Sequence, residues 1–196
     1  MKKIKQFSFK ITLVVFAIAL SSAKLLNYEF YELEQTIDKT TPVDYLPQKQ
    51  NIAFKEGELL SYKMHYGLVN AGVAILEVKP DLIEVSGRKV YHIVGTGFTT
   101  GTTDWFFKVR DKYETYMDKD ALLPWMFVRN VNEGGYKFSQ NYTFNHYTKK
   151  VDVGGGEKFD FPAGVQDMVS AFYSARNLDL SKAKEGDLFT LNCFLD

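Results

Sequence analysis

The stretch PWMFVRNVNEGGYKFSQNYTFN, residues 124–145, is two alternating runs around Gly134-Gly135. A two-residue Gly-Gly loop favours the primed turns whose twist matches that of paired strands, so it predicts a hairpin and fixes its register. Glu133 then faces Tyr136, Val131 faces Phe138, Arg129 faces Gln140, Phe127 faces Tyr142 and Trp125 faces Phe144. These residues share one face, whereas the other carries Met126, Val128 and Asn130 against Lys137, Ser139, Asn141 and Thr143. One aromatic face and one mostly polar face predict an antiparallel sheet whose aromatic side is the core or a concavity.

Working outward, the same alternation marks Leu60 to Tyr66, Val69 to Pro80, Lys89 to Thr99 and Thr102 to Met117, separated by glycine, asparagine and aspartate. With the hairpin these are strands in sequence order, and the expected fold is mainly β: a curved antiparallel meander, a half-barrel or open barrel. A turn centred near Asp120 sets Thr115 opposite Trp125, Tyr113 opposite Phe127 and Asp111 opposite Arg129. Asp111, Arg129 and Gln140 then form a polar row across the aromatic face. Such a row is costly away from water unless its members satisfy one another, so it serves either as a buttress that fixes register or as the floor of a ligand cavity. The strand before it has two registers. A loop at Thr100-Gly101 sets Thr96 beside Trp105 and Val90 beside Asp111, and a one-residue shift sets Gly97 under Trp105 and Tyr91 beside Asp111. On the outward side Lys108, Arg110 and Lys112 form a basic strip, either solvated or facing an anionic headgroup.

One helix interrupts the strands. Gln166 to Arg176 (QDMVSAFYSAR) places Val165, Met168, Val169 and Phe172 at helical spacing, with Asp167 at its start and Arg176 at its end as the helix dipole favours. This helix, near 166–176, is expected to pack its apolar side on the sheet. Asp187 to Leu195 reads as a further strand cut off at Asp196, which suggests a truncated C-terminus.

Residues 1–23 have the pattern of a cleaved secretory signal: four lysines without an acid, the apolar run ITLVVFAIAL, then Ser21-Ser22-Ala23. The apolar run is too short for a membrane span, so no transmembrane anchor is expected after cleavage. Residues 24–50 read as an N-terminal arm or linker, and 51–196 as the β domain. Over the whole chain 24 basic residues balance 24 acidic ones; without the signal segment the formal charge is −4. That balance argues against a nucleic-acid partner. The single cysteine, Cys193, cannot form an internal disulfide, and His65, His92 and His146 are scattered. No metal is expected.

Cofactor patterns fail in the same way. Gly95-Thr96-Gly97 with Gly101 has the wrong spacing for a dinucleotide loop, and Gly154-Gly155-Gly156-Glu157-Lys158 lacks the Ser/Thr of a P-loop. No serine has a nucleophile-elbow context, and no catalytic residue is assigned.

Several short motifs nevertheless occur in a familiar order. Gly57-Glu58-Leu59 with Tyr62, Gly67 and Ala71-Gly72, then Trp105-Phe106-Phe107-Lys108-Val109-Arg110-Asp111, Glu133-Gly134-Gly135, and Gln166-Asp167 with Ser170-Ala171-Phe172-Tyr173 and Arg176 together resemble the exported bacterial family catalogued as domain of unknown function 3108. The likeness spans residues 51–196. It implies a secreted antiparallel β protein of a Gram-negative envelope that continues through further strands, and it brings no activity with it.

Three functions follow as expectations. The first is a non-enzymatic protein of the periplasm or envelope that binds a lipid or other amphipathic molecule on its concave aromatic face, through Trp105, Phe107, Asp111, Trp125, Phe127, Arg129, Gln140 and Tyr142. The second is an assembly module pairing with another envelope protein through a sheet edge or the arm. The third, a hydrolase using Asp111 and Glu133, lacks a nucleophile or metal set in the sequence.

Overall fold

A computed structural model describes residues 46–67 and 69–195. The proposed signal segment and all but the last residues of the arm lie outside them. The chain folds as β1 (Leu59–Tyr66), β2 (Val69–Val78), β3 (Ile83–Val85), β4 (Arg88–Thr99), α1 (Gly101–Phe106), β5 (Arg110–Asp118), β6 (Pro124–Glu133), β7 (Tyr136–Asn145), β8 (Lys150–Asp152), β9 (Lys158–Asp160) and α2 (Met168–Arg176). The strands form one open antiparallel sheet in the order β1-β2-β4-β5-β6-β7-β8-β9, with β3 pairing to β4. Mainly β and meandering, it has the expected class.

The Gly-Gly hairpin has the expected register, including Glu133 with Tyr136, Arg129 with Gln140 and Phe127 with Tyr142. Gly134 and Gly135 have φ of 57° and 93°, the left-handed values that a type I′ turn needs at both central positions. The alternation assigned from sequence therefore survives: Phe127, Tyr142 and Phe144 are buried, while Ser139, Asn141 and Thr143 are exposed.

α2 covers the aromatic face. Asp167 caps it, accepting from the Val169 and Ser170 amides while the Ser170 hydroxyl accepts from the Asp167 amide, a reciprocal capping box. At the far end Arg176 donates to both oxygens of Glu58 at 2.6 and 2.8 Å and to the Ala53 carbonyl at 2.9 Å, tying the helix to the segment before β1. Between these ends Val169 and Tyr173 join Phe54, Ile93, Met117, Phe127, Tyr142 and Phe144 in the main core.

The helix turns differently from the sequence expectation. Met168 and Phe172 are exposed, and Ser170, Ala171 and Ser174 are buried with Val169 and Tyr173. The reason is the Asp167–Thr115 hydrogen bond of 2.5 Å, which aims the capped end at the sheet. The small residues then admit close approach, with the Ser174 hydroxyl reaching the Leu122 carbonyl at 3.4 Å.

Thr102 to Met117 is not one strand. Gly101, at φ 59°, starts the short helix α1, and β5 begins only at Arg110. Because the helix removes those residues from the ladder, both registers considered for β4 give way to a third, with Gly97 opposite Asp111 and Val90 opposite Asp118. β5 also sits two residues from its expected place against β6, with Tyr113 opposite Arg129 and Thr115 opposite Phe127. An even slide keeps every side chain on its face. Asp187 to Leu195 forms no strand, only a parallel bridge between Cys193 and Gln166, and Phe194 packs its ring on Tyr142 and Phe144. No helix among the described residues is long and apolar enough to cross a membrane.

Candidate functional site

The polar row exists in altered form. Arg129 donates to the Gln140 side-chain oxygen at 2.6 Å, and the Tyr142 hydroxyl donates to the same oxygen at 2.8 Å. The Arg129 guanidinium also lies 4.8 Å from the centre of the Phe138 ring. Asp111 is on the same face but Tyr113, not Asp111, stands opposite Arg129. Asp111 instead accepts from the Asn132 amide at 2.9 Å and receives the Tyr113 hydroxyl at 3.4 Å. Its carboxyl hydrogen-bonds that of Glu133, which raises the Glu133 pKa above the ordinary carboxylate value. The row thus divides into an Arg129–Gln140–Tyr142 group and an Asp111–Tyr113–Glu133 group. It joins β5, β6 and β7 through side-chain contacts on one face.

The aromatic side chains of the sequence site separate further. Phe127 and Tyr142 are 2% and 1% exposed and pack against each other, with α2 and Phe194 over the face. They are core. Trp125 leaves that face: after a register irregularity between Tyr116 and Met117 it joins a second cluster with Leu46, Val90, Ala121 and Leu123. Trp105 and Phe107 are not on the sheet at all, because α1 carries Trp105 and Phe107 is the residue that caps its C-terminus. An open groove of about 400 Å³ lies at the hairpin, lined by Asn130, Val131, Asn132, Lys137, Phe138 and Ser139 rather than by those rings.

Trp125 marks one end of the sheet. There Asp118 is fully buried and accepts from Arg88 at 2.6 and 2.9 Å, from the Trp125 indole at 2.9 Å and from the Asp120 and Ala121 amides at 2.9 and 2.8 Å. Burial alone would raise its pKa, but these donors outweigh burial and hold it below the usual carboxylate range. This end is sealed.

The other end collects the β1–β2 turn, α1 and the β6–β7 turn, because β1, β4 and β6 all finish there. Its surface carries several exposed apolar side chains among lysines. Trp105 is 80% exposed and Phe106 77%, and Phe107, Tyr136, Met64 and Val69 are also exposed. Phe106, Tyr136, Met64 and Val69 are not among the residues expected at a site from the sequence; the signal for Phe106 is three aromatics in succession at 105–107, which one face of a strand cannot accommodate.

The exposed rings stand on a built platform. Asp104 accepts from the Thr99 hydroxyl at 2.7 Å and from Arg110 at 2.6 Å, and the guanidinium keeps its carboxyl below the usual range. The Thr100 amide reaches the Ala71 carbonyl at 3.3 Å, and the Phe107 amide closes the helix on Thr103 at 2.8 Å. Phe107 lies over Gly134, where an added Cβ would fall 2.4 Å from its ring. Trp105 and Phe106 meet edge-to-face with centroids 4.5 Å apart. Polar contacts thus fix the backbone under side chains that stay half to four-fifths exposed.

Residues 61–196 match the family model described as Protein of unknown function (DUF3108). No curated protein and no solved structure matches the chain.

Proposed function

This chain belongs to the DUF3108 family, and we propose that it is an exported, non-enzymatic envelope protein that binds apolar or amphipathic material through the exposed end of its sheet. The observation that carries this reading is the grouping of Trp105, Phe106, Phe107, Tyr136, Met64 and Val69, all exposed, around three connections at one end. Scattered apolar side chains on a surface are ordinary, whereas a contiguous group marks an interaction site. The inner aromatic face, the first choice from sequence, is occupied by the protein's own helix and by Phe194.

A hydrophobic dye such as Nile red tests the reading. The chain is expected to enhance its emission, and Trp105→Ala with Phe106→Ala to remove most of that enhancement while far-UV circular dichroism stays the same. Equal enhancement by the double variant would count against it.

A second reading rests on β1, which ends the open sheet with Tyr62 and Met64 exposed. An unpaired edge can take a strand from another envelope protein. Light scattering distinguishes it: association that Ser61→Pro abolishes supports edge pairing, and a monomer at high concentration opposes it.

A further inference from the structure

We propose that the material met by the exposed end is the surface of an anionic phospholipid bilayer, with Trp105 and Phe106 entering the headgroup–acyl boundary and Lys108 and Lys137 facing lipid phosphates. The proposal rests on the contact reading above and names its partner.

Shape favours this occupant. Trp105 and Phe106 project from a short helix at the tip of the molecule, and their exposures of 80% and 77% leave most of both rings uncovered. A projecting pair of rings buries the most area by entering a fluid phase. The indole of tryptophan combines an apolar body with a donor, which suits it to the bilayer interface.

Charge favours it as well. Lys108 follows the aromatic run, is 64% exposed in its side chain and reaches Asp104 only at 3.9 Å. Lys137 is exposed two residues past Gly135, beside the second tip, and Lys63 is exposed near the end of β1. Arg110 and Lys112 point outward behind them, neutralised by Asp104 and Glu114 at 2.6 and 2.7 Å. Two of the nearby carboxyls are therefore engaged by cations, Asp104 with Arg110 and Glu114 with Lys112, while Asp111 and Glu133 lie beside each other and leave negative charge behind the second tip. An apolar tip bordered by lysines, on a chain whose formal net charge is zero, combines the apolar and basic parts of an interfacial, non-spanning membrane contact.

The test uses the full chain with phosphatidylglycerol–phosphatidylcholine vesicles, with phosphatidylcholine vesicles, and with neutral maltoside micelles. Flotation and tryptophan emission are read for the wild type, Trp105→Phe, Trp105→Ala/Phe106→Ala and Lys108→Glu/Lys137→Glu. Anionic vesicles should float the wild type and blue-shift its emission. Trp105→Phe should lose the shift, since Trp125 is already buried. The aromatic double variant should bind at least about tenfold more weakly, and the lysine double variant and neutral vesicles about tenfold more weakly, with loss in high salt.

Absence of flotation and shift with anionic vesicles overturns the proposal. A shift in micelles alone then leaves the contact reading standing, and no shift in either overturns both. Equal binding to neutral and anionic vesicles overturns the phosphate assignment. Circular dichroism of each variant separates lost binding from lost folding; if the aromatic variant misfolds, Trp105→Phe emission decides.

Discussion

Trp125 is 5% exposed and Trp105 80%, at opposite ends of one sheet, and the difference lies in the chain around each. Trp125 follows Pro124 into a strand and finds an acceptor, Asp118, that also receives Arg88 and two turn amides. Trp105 follows Thr-Thr-Asp in a single short helix whose polar groups satisfy one another beneath it. A buried end needs its polar partners around the aromatic ring; a contact surface needs them behind it.

That contrast is broken most severely at Asp118. Asp118→Ala leaves Arg88 and the Trp125 indole without their acceptor, and a loss of about 3–5 kcal/mol is expected in urea unfolding. At the other end Trp105→Ala should change stability by no more than about 0.5 kcal/mol. Comparable losses at both ends would erase the distinction between sealed and open.

Asp167 gives the next largest effect, through pH. Burial pushes its pKa up to about 6, against the hydrogen bonds from Thr115 and the helix amides that pull it down. A folded-state pKa above the unfolded value means that the native state holds the proton longer. Its stabilisation is full below the unfolded value and declines as pH rises through about 6, by on the order of 2–3 kcal/mol. Asp167→Asn, which keeps a capping acceptor, should flatten that decline in unfolding midpoints compared between acid and neutral pH. Asp118 acts with the opposite sign. Its lowered pKa gives stability above the unfolded value that disappears as pH falls through the folded one.

Gly134→Ala comes next, with an expected loss of roughly 1–2 kcal/mol, since it combines a left-handed φ with a collision against Phe107. Gly135→Ala meets strain without the collision and should lose less. Thermal unfolding of the pair measures how much of the platform at the open end depends on Phe107.

The sequence made the hairpin legible because two glycines can be read without knowledge of the fold. Their register then carried Arg129 and Gln140 to adjacent positions. The Asp111 position depended on the length of the Asp118–Leu123 turn, which Asp118 fixes through its own side chain, and an error of two residues moved Asp111 past Arg129. α1 was hidden because Thr99 to Arg110 contains strand-favouring residues; the Asp104–Arg110 and Thr99–Asp104 bonds that bend it are tertiary. The cap and length of α2 are legible in the sequence, but its buried side is not, since that depends on the Asp167–Thr115 bond to β5. The same strand-favouring residues place Trp105 and Phe107 on the aromatic face in any reading of the sequence that lacks α1.

The central claim, that the open end is the contact surface, is tested most directly by iodide quenching of tryptophan emission in the wild type and Trp105→Phe, with and without maltoside micelles. The account predicts a strongly quenched Trp105 component that micelles protect, and a weakly quenched Trp125 component that they leave unchanged. A Trp105 component that stays fully open to iodide in micelles would contradict it.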